Sequence, residues 1–170
     1  MQVRIRPATP DDGPATEEIE SAADALLVER FAAADWPPAT MAAERGSMPG
    51  FVLVAEASAD AAPDMRVGFV HVQEIDAHAH LEQLSVVPAY GRRGIGRALV
   101  TAALDEARRR GHAQVTLRTY ADVPWNAPFY ASCGFTETAP LSDFHRRLVE
   151  TESALQLDAH GRRVQMTAEL

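Results

Sequence analysis

The sequence predicts an α/β (α+β) fold: a mixed, mostly antiparallel sheet of about six or seven strands flanked by helices. Three observations point there. Phe51–Glu56 and Val67–Ile75 are strand-like segments separated only by the Ala-, Pro- and Asp-rich stretch Ser58–Asp64, which reads as an antiparallel hairpin. His80–Val87 and Gln114–Thr119 are strand-like and separated by a long helical segment, so they are expected to pair in parallel through a right-handed crossover. Strands bracket the whole array, from Gln2–Arg6 to the alternating Val164, Met166 and Ala168.

Each remaining element has its own signals. Thr9, Pro10, Asp11 and Asp12 suit a helix N-terminus by capping side chain, early proline and negative charge, and the helix runs to about Phe31. Trp36, Pro37 and Pro38 end it, because proline lacks an amide donor and restricts the preceding residue. Residues 35–49 read as loop with room for a short helix. Pro88 closes the strand beginning at His80. Ile95–Arg110 carries helical apolar spacing through Leu99, Ala102, Ala103 and Ala107, places Arg108, Arg109 and Arg110 at the negative end of the helix dipole, and meets Gly111 as a C-terminal cap. A short helix is expected over Asn126–Ser132, a strand from Phe135, and a helix over 142–157 with Phe144, Leu148 and Leu155 on one side.

At 170 residues the chain reads as one domain, since a second core would leave both parts unusually small. Acidic residues exceed basic ones by 24 to 16, a net charge of −8 that argues against a nucleic-acid binder, because phosphate contacts are made mostly by Lys and Arg. The same balance tolerates a cationic amine. One cysteine forms no intrachain disulfide and no thiolate metal cluster, which fits a reducing cytoplasmic compartment. Met1–Pro7 alternates Val and Ile with Arg rather than forming the apolar core of an export signal, and apolar runs such as Phe51–Ala55 are far short of the roughly 20 residues that cross a bilayer. No membrane partner is expected.

The turn Gly91-Arg92-Arg93-Gly94-Ile95-Gly96-Arg97 follows a strand and opens a helix, which makes it a phosphate cradle: glycines admit a close ligand, first-turn amides point at it, and the dipole adds positive potential. The plainer reading is a tight turn with solvated arginines. The stretch is neither a P-loop, which needs Gly-Lys-Ser/Thr, nor a G-x-G-x-x-G dinucleotide turn.

Residues 80–99, HLEQLSVVPAYGRRGIGRAL, and residues 126–135, NAPFYASCGF, resemble in order and spacing two segments of the GNAT superfamily of acyl-CoA-dependent N-acetyltransferases. The resemblance implies that acetyl-CoA is the co-substrate and that its pyrophosphate meets the backbone of Arg92, Arg93, Gly94, Ile95, Gly96 and Arg97. It also implies a splayed central strand pair, with Leu84, Ser85 and Val86 freed to pair with pantetheine and Asn126 near that arm. Gly91 departs from the family pattern, which usually carries Gln or Arg there.

The reaction implied is direct attack of a primary amine on the acetyl thioester in a ternary complex. An alkyl ammonium has a pKa of about 10.4, so a base must first remove its proton. Family bases occupy positions matching His80 or Glu82, and strand alternation is expected to put His78, His80, Glu82 and Leu84 on one face. Glu82 is the first candidate and His80 the second, against a reading of both as solvated polar residues; Glu74 or His71 on the neighbouring strand comes next. Tyr130 matches the family tyrosine that protonates the departing thiolate, against a reading as packing for Phe129 and Phe135. Asn126 is equally a helix N-cap, and Cys133, with no adjacent histidine, reads as helix-end packing rather than a nucleophile. The competing classes are a non-catalytic acyl-CoA-binding sensor and a metal-dependent enzyme using His78, His80 and Glu82; the first assignment takes no metal. The acceptor, a small-molecule or peptide amine, is expected between residues 26–48 and 140–157, and an open sheet edge of this type can pair into a homodimer.

Overall fold

The computed structural model describes residues 2–58 and 64–170, so the tip of the expected hairpin, residues 59–63, lies outside the described residues. Seven strands form one sheet in the order β1-β2-β3-β4-β5-β7-β6: β1 (Gln2–Pro7), β2 (Gly50–Ser58), β3 (Met65–Ile75), β4 (His78–Val86), β5 (Gln114–Tyr120), β6 (Thr136–Thr138) and β7 (Arg163–Glu169). The helices are α1 (Gly13–Phe31), α2 (Ala42–Ser47), α3 (Ile95–Arg109), α4 (Ala127–Ala131) and α5 (Asp143–Ala154). Among the described residues only β4 and β5 pair in parallel, as the crossover through α3 requires.

The expected helix start at Thr9 is a 3₁₀ turn, Pro10–Asp12, and α1 begins at Gly13. Asp12 turns back on Thr9, accepting from its amide at 2.8 Å and its hydroxyl at 3.1 Å, which satisfies donors the helix cannot reach. α3 buries Ile95, Leu99, Val100, Ala103 and Ala107 in the larger core with Val70, Val72, Leu81, Val115 and Leu117. α1 covers the other face through Ile19 on Val54 and Phe69. Gly111, at φ +90°, ends α3 as expected: its amide reaches Arg108 O at 3.0 Å, and the His112 amide reaches Ala107 O at 3.1 Å.

Two irregularities in the central strands position the site. Between β3 and β4 the register runs His71↔Gln83 and then Val72↔Leu81, so Glu82 is the extra residue of a bulge. Between β4 and β5 the ladder holds only Ala79↔Val115, His80↔Thr116 and Leu81↔Leu117. Beyond Leu81 and Leu117 the two strands part, leaving β4 from Gln83 to Val86 paired with β3 and no longer with β5.

The bulge overturns one expectation. Two consecutive residues occupy the space of one, so the face alternation reverses past Glu82. Leu84 and Val86 pack with the α3-side core, whereas His80, opposite Thr116 under α5, lies on the other face. Leu84 therefore does not share a face with His80.

Candidate active site

The glycine turn has the backbone its residues allow. Arg92 adopts φ +60° and Gly94 φ +81°, and Gly94 caps α3 with Ala98 N donating to its carbonyl at 3.0 Å. A Cβ at Gly94 would meet only open space, so the position is open toward a ligand and a side chain there would fill it. The amides of Ile95, Gly96 and Arg97 belong to the first turn, which has no intrahelical acceptor for them. At Gly96 a Cβ would sit 3.4 Å from Phe129 Cζ, an ordinary van der Waals contact, so α4 lies close to the start of α3.

The arginine side chains of this turn are not equivalent. Arg97 donates to Ser132 O at 2.7 Å and Ser132 Oγ at 2.8 Å, pinning α3 to the end of α4. Arg93 stacks its guanidinium 5.3 Å from the Tyr90 ring centroid.

α4 faces the parted strands. Asn126 does not cap it: its Oδ1 accepts from Thr119 Oγ1 at 2.7 Å and from Tyr120 N at 3.4 Å, so the side chain ties the start of α4 to the end of β5 that has left β4 but stays paired with β7. Tyr130 is buried against Phe129 and Phe135, with ring centroids 5.2 and 5.8 Å away, and burial pushes its phenol well above the ordinary tyrosine value. It stays a protonated hydroxyl across the working pH range. Cys133 packs against the main core at the end of α4.

On the opposite face, Glu82 is partly exposed and its carboxylate lies 3.2 Å from Nδ1 of His71, which is 1% exposed. Glu74 instead engages His112 at 2.7 Å and Arg110 at 2.9 Å, away from Glu82. Two further carboxylates on α1 feel the Glu82 charge. Burial pushes Glu20 up to about 7 even with Arg45 beside it, and Glu82 and Asp24 act in the same direction. Asp24 is also raised, by burial and then by Glu82, against the hydrogen bond it accepts from Trp36 Nε1 at 3.2 Å. A cleft of about 370 Å³ opens beside them, lined by Asp24, Val28, Glu29, Trp36 and Pro37. Glu20 and Asp24 escape a reading of the sequence because an i, i+4 acidic pair on a helix is ordinarily a solvated face.

His80 is held differently. Its Nδ1 is 2.8 Å from Thr116 Oγ1, which is 3.0 Å from Nε2 of His145, whose Nδ1 is 2.7 Å from Ser142 Oγ. Burial first, then the neighbouring His145, Arg118 and His78, lowers His80 to about 3, so its imidazole is neutral. His78 stacks on Phe144 at 5.0 Å. His78 and His80 share Phe144 and His145 as ring neighbours, whereas Glu82 turns to His71, and among the described residues no group of three ligand-type side chains is placed to hold a metal ion. Nor is any described helix long and apolar enough to cross a membrane.

The site is thus a glycine turn at a helix N-terminus, preceded by a bulged strand that parts from its parallel neighbour. The chain belongs to the Acetyltransferase (GNAT) family, whose sequence model matches residues 19–135, more than half its length. It is 31% identical over 87 residues to the [ribosomal protein bS18]-alanine N-acetyltransferases of Escherichia coli K12 and Shigella flexneri. That match covers 51% of this chain, and the chain spans 59% of the length of these curated relatives. The fold is shared with the ribosomal-protein-S18-alanine N-acetyltransferase structure from Escherichia coli (TM-score 0.62, 21% identity, 99% of this chain and 94% of that one). It is shared also with PaiA N-acetyltransferase of Thermoplasma acidophilum in complex with coenzyme A (TM-score 0.69, 17% identity, all of both chains).

Proposed function

We propose that this protein is an acetyl-CoA-dependent N-acetyltransferase that acetylates a primary amine by direct attack, with Glu82 as the base and Tyr130 as the acid. The observation that carries the reading is the bulge at Glu82, which marks where β4 leaves β5 and turns a carboxylate toward the α1 side of the opening.

The residues fit acetyl-CoA. The first-turn amides of α3 and the open position at Gly94 suit a pyrophosphate, and the unpaired edge of β4 over Leu84, Ser85 and Val86 suits the amides of a pantetheine arm. Acetyl-CoA, when bound, supplies the activated acetyl thioester. Glu82 holds the acceptor ammonium and takes its proton, directly or through water, while His71 fixes the carboxylate from behind. Glu20 and Asp24 add negative potential on the same side. His80 is the weaker base, since a ring whose protonation is this disfavoured takes a proton poorly from an ammonium of pKa about 10.4. Tyr130, protonated and shielded, is the donor to the departing thiolate.

The test follows thiol release from acetyl-CoA across a panel of primary amines: small amines, amino acids and short peptides. Release that depends on an amine supports the reading. Tight acetyl-CoA binding with no amine-dependent release from any of them overturns it in favour of an acyl-CoA sensor.

A further inference from the structure

The chain that leaves α1 runs back along it and is fastened there by carboxylates. Glu17, Glu20 and Asp24 lie on one face of α1, three and then four residues apart, and each accepts from the returning segment. Asp24 takes Trp36 Nε1 at 3.2 Å, Glu20 takes the Thr40 amide at 3.4 Å, and Glu17 takes the Ala42 amide. The order is antiparallel, so the segment has one carboxylate beneath it at each turn of the helix. Its far end is held by Arg45 of α2, which is buried, donates to Glu20 and to Thr16 Oγ1 at 3.1 Å, and lies 4.5 Å from the Phe69 ring centroid.

The segment has little apolar anchorage. Among the described residues, none from 34 to 48 belongs to either apolar core. The rings around Trp36, those of His160, Phe31 and Tyr120 at 5.9, 6.2 and 6.4 Å, lie outside those cores as well. Residues 36–39 are nonetheless part of the wall of the 370 Å³ cleft, together with Asp24, Val28 and Glu29. What holds that wall in place is a row of charge-assisted hydrogen bonds, so its hold depends on the charge state of the acids.

The local charges do not balance. Glu20 feels Arg45 from α2, Glu82 from β4 and Asp24 from its own helix, while Asp24 feels Glu82 and the bond from Trp36. Glu82 in turn has His71 of β3 beside it. Three acids thus share one guanidinium, and ionising all of them in place sets buried like charges against one another.

We propose that residues 36–45 are a strap that lifts from α1 when Glu20 and Asp24 are ionised beside Glu82, and that a positive charge arriving at Glu82 fastens it again. Linkage gives the sign. With the strap down, burial raises both acids, Glu20 to about 7, so the fastened form keeps their protons. Lifting hydrates them and returns them to the ordinary range of about 4. The form that holds more protons is favoured by acid, so lifting grows as pH rises from about 4.5 to 7 and levels off above. A cation at Glu82 removes part of the repulsion and so favours the fastened form. In the proposed reaction that cation is the acceptor ammonium, and only this purpose rests on the acetyltransferase reading.

Hydrogen exchange of the Thr40 and Ala42 amides, measured on the full chain without ligand and corrected for the intrinsic rate at each pH, reads the lifted population. Their protection is expected to fall at least tenfold from pH 5.5 to 7.5. It should also stay at least a hundredfold below that of the Phe69 and Val70 amides in β3, which separates lifting from unfolding of the sheet. Glu20→Gln should reduce the fall to less than threefold. Glu82→Gln, which removes the charge that a bound ammonium would offset, should raise protection at pH 7.5 at least threefold, and it carries the test should Glu20→Gln fail to fold around Arg45. Protection that is independent of pH from 5.5 to 7.5, or unchanged at pH 7.5 by Glu82→Gln, overturns the inference. The expected exchange without amine-dependent thiol release would break the proposed function and leave the strap standing; thiol release with pH-independent protection would do the reverse.

Discussion

Two clusters of carboxylates and guanidiniums in this protein end on opposite sides of the ordinary carboxylate range, although burial pushes the acids upward in both. Across β1, β2 and β3, Asp12 and Glu56 lie among Arg4, Arg6 and Arg66. Arg6 reaches Asp12 at 2.7 Å and Glu56 at 2.5 Å, Arg66 reaches Asp12 at 2.8 Å, and Arg4 reaches Glu56 at 2.9 Å. Hydrogen bonds from Arg6 hold Asp12 far below the usual carboxylate range and Glu56 at about 2. Around α1, three carboxylates, Glu20, Asp24 and Glu82, have Arg45 as their guanidinium, and burial with mutual repulsion drives Glu20 and Asp24 upward. Where cations outnumber acids the cluster is structural glue. Where acids outnumber cations it is a surface waiting for a cation, which in the proposed reaction is the acceptor ammonium.

Substitutions in each cluster should therefore separate activity from stability. The largest effect is expected at Glu82: Glu82→Gln should lower kcat by about a thousandfold and abolish the rising pH limb, with the melting temperature nearly unchanged. A retained rate and pH limb, in this variant and in Glu82→Gln/His80→Gln, would remove both residues as the base.

Asp12→Asn should do the opposite, costing about 2 kcal/mol in chemical denaturation by removing the charge that Arg66 and, beside Glu56, Arg6 engage, while turnover per folded molecule stays at the wild-type value. A loss of kcat without a loss of stability would merge the two clusters into one functional network. Gly94→Glu lies in neither cluster, and by filling the open cradle with a negative charge it should weaken acetyl-CoA about a hundredfold, or about 2.8 kcal/mol, by calorimetry. Tyr130→Phe is smaller still: about tenfold in turnover, with acetyl-CoA affinity retained.

The smallest expected effect is on the pH dependence of stability. Glu56 is lowered to about 2, so its stabilisation is complete above about pH 4.3 and is lost as pH falls toward 2. Glu20 is raised to about 7, so the folded chain takes up a proton there, and stability declines as pH rises from about 4.5 through 7. Glu20→Gln should flatten that decline in denaturation curves measured from pH 5 to 8. An unchanged slope would show that Glu20 is ionised beside Arg45 throughout.

What the sequence determined by itself is whatever short-range physics decides. The Gly91–Arg97 turn, the periodicity of α3 with its Gly111 cap, and the alternation of β7 depend on residues a few positions apart, and each stands where expected. Tertiary structure decided the rest. Whether Leu84 shares a face with His80 depends on which β3 residue sits opposite Glu82, and that register is set 11 residues away in sequence, at His71. Asn126 ties to β5 instead of capping its helix because Thr119 and Tyr120 lie within reach only once β5 has left β4. The Arg97 side chain is held by Ser132, 35 residues away. The carboxylates of α1 come within range of the Glu82 charge through packing alone: a carboxylate's environment is set by burial and neighbouring charge, and neither is written in the spacing of its own helix.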